Sequence, residues 1–203
     1  MKRHVPKLHS TILRLEQKLF HNAHNLLMDS CILYQNRSFA TALALAVLAY
    51  EELGKLHLVD HVGAEARLSD SPSRQQQLDH LFSRNAAFNH IVKQRWALAF
   101  TKDGYSDVYH GGRLDHLKQA AFYVEFRNGR IRIPDRLSAT TAFHQIKRVV
   151  TLFKQTKDLP FVDLFEDSTA RTRKIANRYI SSAQNALASL RPPRKERKST
   201  GRN

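Results

Sequence analysis

Apolar residues recur at helical intervals along most of this chain. Between residues 10 and 35, Ile12, Leu13, Leu19, Phe20, Ala23, Leu26, Leu27, Ile32 and Leu33 mark one stripe of a long helix. Ser38 then stands where an N-cap belongs, ahead of FATALALAVLAYEELGKLHLVDHV. That segment is apolar nearly all round as far as Tyr50, the pattern of a helix buried on every side, and it predicts the centre of the fold. Pro72 falls in a polar loop, and Ser73 is placed to cap a third helix reaching about residue 100, with Leu78, Leu81, Phe82, Phe88, Val92 and Trp96 as its stripe. After the polar run DGYSDVYHGGR, the sequence LDHLKQAA predicts a short helix. The period changes in FYVEFRNGRIRIP, where two β-prone runs flank Asn128-Gly129, a pair suited to a tight turn because both residues tolerate positive φ. Helices over residues 138–157 and 166–190 complete the chain. The expected fold class is all-α: an antiparallel helical bundle with a small β-hairpin insertion near residues 122–134. One helical domain is expected over residues 1–190. The end, RPPRKERKSTGRN, carries dense like charge and no apolar anchor, so residues 191–203 are expected to form a basic disordered tail.

Composition adds a charge asymmetry to this picture. The 203 residues include 33 Lys plus Arg against 18 Asp plus Glu, a formal charge of +15, which makes a polyanion the first partner to consider. The excess is uneven: +4 over residues 1–18, −1 over 19–112, +7 over 113–157, 0 over 158–190 and +5 over 191–203. Seven Gly and six Pro are few for a turn-rich sandwich or barrel. The single Cys31 forms no intrachain disulfide, and in an apolar helical stretch it reads as a buried structural thiol, in keeping with a reducing compartment. No apolar core follows the basic start to make a signal peptide, and the longest apolar-rich run, residues 39–50, is short of the roughly 20 residues a membrane span needs. A cytoplasmic protein with no membrane partner is expected.

The chemistry these residues support is narrowed by exclusion. No Glu-x-x-His tetrad or HExxH is present, and His21/His24 or His57/His61 are lone pairs, so neither a metal nor a cofactor is expected. GxxxxGK[ST], GxGxxG and GxSxG are missing as well. What is left is proton transfer by His with charge stabilisation by Arg or Lys, the set that metal-free RNA cleavage uses. A base takes the 2′-hydroxyl proton, an acid protonates the departing 5′-oxygen, and a cation holds the phosphate.

The stretch HNAHNLLMDSCILYQNRSFATALALAVLAYEELGK resembles the amino-terminal signature of AbiV-type abortive infection proteins, with Glu51, Glu52, Gly54 and Lys55 matching its most specific block. His90-x-x-Lys93-Gln94 and LKQAAFYVEFRNGRIRIP resemble later parts of the pattern, so the likeness covers about residues 21–150. It implies a fold of the HEPN superfamily, helical bundles that include metal-independent endoribonucleases of phage defence. Those enzymes carry an Arg, four to six intervening residues and a His, often with a polar residue after the Arg. Four Arg/His pairs here have that spacing, about as many as the roughly three that chance supplies. Only Arg84 to His90 has the polar follower, Asn85, and shares its His with the family-like stretch.

On this reading His90 is the general acid/base, Arg84 the phosphate clamp and Lys93, an i,i+3 neighbour of His90, an auxiliary cation. On a straight helix Arg84 and His90 stand about 120° and 9 Å apart, so one helix does not converge them without a kink. The resemblance implies the alternative, a homodimer that pairs two copies of the motif across a two-fold axis. Asn85, Glu51, Glu52 and Lys55 are assigned to a supporting network. Glu51 and Lys55 have the spacing of an ordinary i,i+4 ion pair, but at the end of the most apolar helix they also suit a buried polar network. Gly54, unfavourable in a helix interior, suggests close backbone packing there. Arg127, Arg130 and Arg132 in the basic segment are the expected RNA contacts.

The leading reading is therefore a phage-defence endoribonuclease acting on host or phage RNA, with a phage protein as its trigger. The alternative, also implied by the resemblance, is a non-catalytic abortive-infection protein that arrests translation by binding a phage or host partner. A plain nucleic-acid-binding protein is the third.

Overall fold

The computed structural model describes residues 5–67, 97, 113–123, 125–127, 130–132, 137–156 and 166–193. Among them are five helices: α1 (Val5–Gln35), α2 (Phe39–Arg67), α3 (Arg113–Phe122), α4 (Ala139–Thr156) and α5 (Glu166–Ser189). A short antiparallel ribbon follows α3, β1 (Glu125–Arg127) against β2 (Arg130–Arg132), in a register that pairs Glu125 with Arg132, Phe126 with Ile131 and Arg127 with Arg130. Phe122, which β-propensity would assign to the first strand, closes α3 instead. The helix expected over 73–100 lies outside the described residues except for Ala97, which is helical and fully buried in the main core. The expected basic tail lies outside them from residue 194 onward.

α1 and α2 form a helical hairpin whose tight link carries its own capping chemistry. Ser38 N donates to Leu33 O (2.9 Å) and Arg37 N to Tyr34 O (3.0 Å), the paired bonds of a Schellman cap that satisfy the last carbonyls of α1. The cap needs a left-handed residue, and Arg37 fills it at φ 64°, a position glycine usually holds. With no glycine there, nothing in the sequence announces the turn. α4 starts more conventionally: the Ser138 Oγ accepts from Thr141 N (3.2 Å), an N-cap closing on the third helical residue.

α2 is the central helix, as its pattern predicts. Ala42, Leu43, Ala46, Val47, Ala49, Tyr50, Leu53 and Leu56 are all buried in one core with Leu27, Ile146, Leu152 and Phe153. Small Ala side chains let neighbouring backbones approach, and Ser30 Oγ reaches Ala42 O at 2.7 Å across the hairpin. Consecutive described helices run antiparallel, but side-by-side neighbours do not all do so. His21 meets Tyr179 near one end of α5 and Gln35 meets Ser189 near the other, so α1 and α5 are parallel. Tyr34 packs on both Phe39 and Phe143 while His57 meets Thr156, so α2 and α4 are parallel too. The expected antiparallel order thus holds between consecutive described helices, while packing also sets some helices that are not consecutive side by side in parallel, because each helix seeks apolar neighbours rather than sequence neighbours. Ile32, assigned by pattern to the buried stripe of α1, is 52% exposed, since Cys31 and Tyr34 take the inward positions on that turn.

No helix among the described residues is long and apolar enough to cross a membrane.

Candidate functional site

Most of the buried polar side chains among the described residues lie along α2 from Glu51 onward or level with that stretch, Ser30 and Gln145 being outside it. α2 carries Glu51, His57 and Asp60 there, all buried, and α3 and α4 add Lys118 and Thr156. Antiparallel pairing of α1 with α2, which sets Ser30 beside Ala42, brings buried Glu16 to the same level. The chain leaves the described fold at Arg67 and re-enters at Arg113, both at this end, because α3 runs back along α2 from its C-terminal half.

Glu51 is the centre of the best-defined contact. It is 2% exposed, and its carboxylate accepts from Lys118 Nζ at 3.0 Å, itself buried; the same ammonium lies 3.0 Å from Asp115 on the next turn of α3. An apolar helix tolerates a carboxylate only with such a partner. Lys55 pairs instead with Glu52, and both are partly exposed. Of the two readings of Glu51, the buried polar one describes its contact with Lys118, a cation from a different helix, while Lys55 pairs with Glu52. Gly54 is buried between them.

His57, one turn further, is 1% exposed, and burial pushes its imidazole down to about 3. Thr156 gives its hydroxyl hydrogen to Leu152 O at 2.8 Å, so across the 3.5 Å contact between Thr156 and His57 it is Nε2–H that donates. A ring held neutral in this way is a fixed dipole and not a proton carrier near neutrality.

A second histidine group sits between α1 and α5. Asn25 donates to His21 Nε2 at 3.1 Å, which leaves the His21 proton on Nδ1, directed at the Tyr179 hydroxyl 2.7 Å away. His24 stacks on the Tyr179 ring with centroids 4.5 Å apart, and its pKa is lowered chiefly by burial, with the Asn25 side chain, as acceptor for the protonated ring, opposing the shift and His21 adding to it. The i,i+3 spacing of the two histidines marks their shared face in the sequence. Tyr179, more than 150 positions away, carries no signal that links it to them. Cys31 is buried and desolvation raises its thiol to about 11, as a structural cysteine requires. Among the described residues no cluster of three or more His, Cys, Asp or Glu is placed to hold a metal ion.

Arg84, Asn85, His90 and Lys93 lie outside the described residues. Arg127, Arg130 and Arg132 lie on the two paired strands. Sequence reasoning missed Lys118, His57, Asp60 and Glu16 as members of the buried polar set, and Asp115 as the partly exposed neighbour of Lys118; a charge on an otherwise apolar face was the available signal.

The family model HEPN_AbiV, described as AbiV, matches residues 11–154, a span that starts in α1 and ends in α4. The chain belongs to the AbiV family. The match encloses the EELGK block, the Arg84 to His90 motif and the basic ribbon, and it extends the resemblance read from residues 21–150 at both ends. Membership places the chain among abortive-infection proteins, with the helical fold of HEPN domains. No curated protein and no solved structure matches it. All of α5 and everything after it falls beyond the AbiV match, yet α5 packs on α1 through Tyr179, so this part of the bundle is supplied by sequence outside the family model.

Proposed function

We propose that this AbiV protein is a metal-independent endoribonuclease of phage defence, in which His90 serves as general acid/base, Arg84 as phosphate clamp and Lys93 as an auxiliary cation, with Asn85 beside them. The observation that carries the reading is the family match over residues 11–154, which takes in both the Arg84 to His90 motif and the EELGK block. The segment bearing the motif joins Arg67 at the end of α2 to Arg113 at the start of α3. A homodimer, pairing two motifs across a two-fold axis, answers the 120° problem of a single helix. RNA is the substrate, and a phage protein the trigger.

Purified protein is expected to cleave RNA without added metal, and His90→Ala to abolish cleavage while leaving the helical spectrum unchanged. Equal cleavage by His90→Ala, or no cleavage by wild type with or without phage lysate, overturns the mechanism.

One observation favours a second reading. The family's most specific block is turned inward, with Glu51 tied to Lys118 and Gly54 buried, as a structural element would be. A non-catalytic protein that arrests translation by binding a partner would then keep phage protection in the Arg84→Ala/His90→Ala double variant.

A further inference from the structure

For its length, α5 offers the bundle little apolar surface. Of its described side chains only Ala176, Ile180 and Ala183 are buried, whereas α4 buries Ile146, Val149, Val150, Leu152 and Phe153. The largest side chain that α5 turns toward the core is Tyr179, partly buried at the seam between α1 and α4. Its hydroxyl accepts from His21 Nδ1 at 2.7 Å, and its ring stacks on His24 and lies 5.8 Å from Phe20. His24 in turn meets Phe153 of α4 edge to face, with centroids 6.4 Å apart. This latch pairs histidines from the span matched by the AbiV model with a tyrosine beyond it.

The surroundings of His24 leave a proton there without compensation. Among the described residues, the titratable groups that face it are His21 on its own helix and Tyr179 on α5, while α4 presents Phe153. The charges nearby on the same three helices, Lys18, Asp29, Lys154, Lys174 and Arg178, are all exposed. Glu16, the buried acid of α1, stands about 12 Å away along the helix axis. A charge on His21 opposes one on His24.

We propose that α5 is an acid-released strap, docked on α1 and α4 while His24 is neutral and lifted when His24 takes a proton, which uncovers the seam holding Phe20 and Phe153. Burial holds the docked ring below its ordinary 6.5, whereas the ring of a lifted state stands in water and titrates there. The lifted state therefore binds the proton more tightly. Docking is at full strength above 6.5 and weakens as pH falls below it, with a single proton setting a limit of about tenfold per unit.

Hydrogen–deuterium exchange of the full chain, one pH unit above and one below 6.5 and scaled for intrinsic rates, tests the strap. Peptides of α5 are expected to lose up to about tenfold in protection at the acid condition, while α2 peptides remain better protected at both. His24→Phe keeps a ring on Tyr179 and removes the titrating group, so the α5 response flattens. His57→Gln, which alters acid stability of the whole fold, leaves the α5 response as in wild type. Tyr179→Leu removes the latch but keeps an apolar side chain: α5 then exchanges faster already at the higher pH and responds less to acid, a second readout should His24→Phe not fold. Equal protection of α5 and α2 at the acid condition would mean that the whole protein opens and that no strap exists. An unchanged response in His24→Phe, or α5 better protected in acid because the Tyr179 ring holds an imidazolium, overturns the proposal as well.

Discussion

His57 shows how burial decides the charge of a side chain whose sequence context is silent. Held near 3 in the folded protein against an ordinary 6.5, the ring is neutral in both folded and unfolded chains above pH 6.5 and costs nothing there. Below that, the unfolded chain binds a proton that the native state refuses. Stability therefore falls as pH drops from 6.5 toward 3, by up to about 1.4 kcal/mol per unit. His24, lowered in the same direction, adds to the trend. Urea unfolding at a series of pH values is expected to show His57→Gln with a shallower acid slope than wild type, by close to one proton. An identical slope in the two proteins would mean that His57 is protonated in the fold.

At the scale of elements, α3 is a short helix that depends on its partner. Ten residues are too few for a stable helix alone, so α3 exists because Leu114 and Ala121 pack on α2 and Lys118 reaches Glu51. Removing one member of a buried pair leaves an uncompensated charge, and Lys118→Met is expected to destabilise the protein by about 3 kcal/mol. Adding Glu51→Leu removes the stranded carboxylate and should recover most of that loss in denaturant titrations. If the double variant is no better than the single one, the pair holds something other than charge. α1 and α5 are joined differently, through Tyr179 against His21 and His24, with Phe20 packed beside the ring.

For the whole molecule, one core links α1, α2, α4 and α5, and Cys31 reports on its integrity. With the thiol buried and raised to about 11, modification by a thiol reagent at neutral pH is expected to occur at the rate of global opening and to accelerate with denaturant. Fast labelling in native buffer would show that α1 separates from the bundle on its own. The sequence by itself determined the described helices, their order and the family, because hydrophobic period and capping residues act over a few neighbouring positions. It marked α2 as central from its uninterrupted apolar surface, and it marked Glu51 as a residue in need of a partner. Only the tertiary structure decided which partner. Lys118 is 67 positions from Glu51, Tyr179 is 158 from His21, and both contacts arise from packing that brings distant segments to one level. The Arg37 turn was hidden for a local reason, since a left-handed arginine leaves no glycine to be read. Parallel neighbours such as α1 and α5 could not be read from the chain because burial of apolar area has no direction along it, and pattern specifies which face is apolar but not which face will cover it.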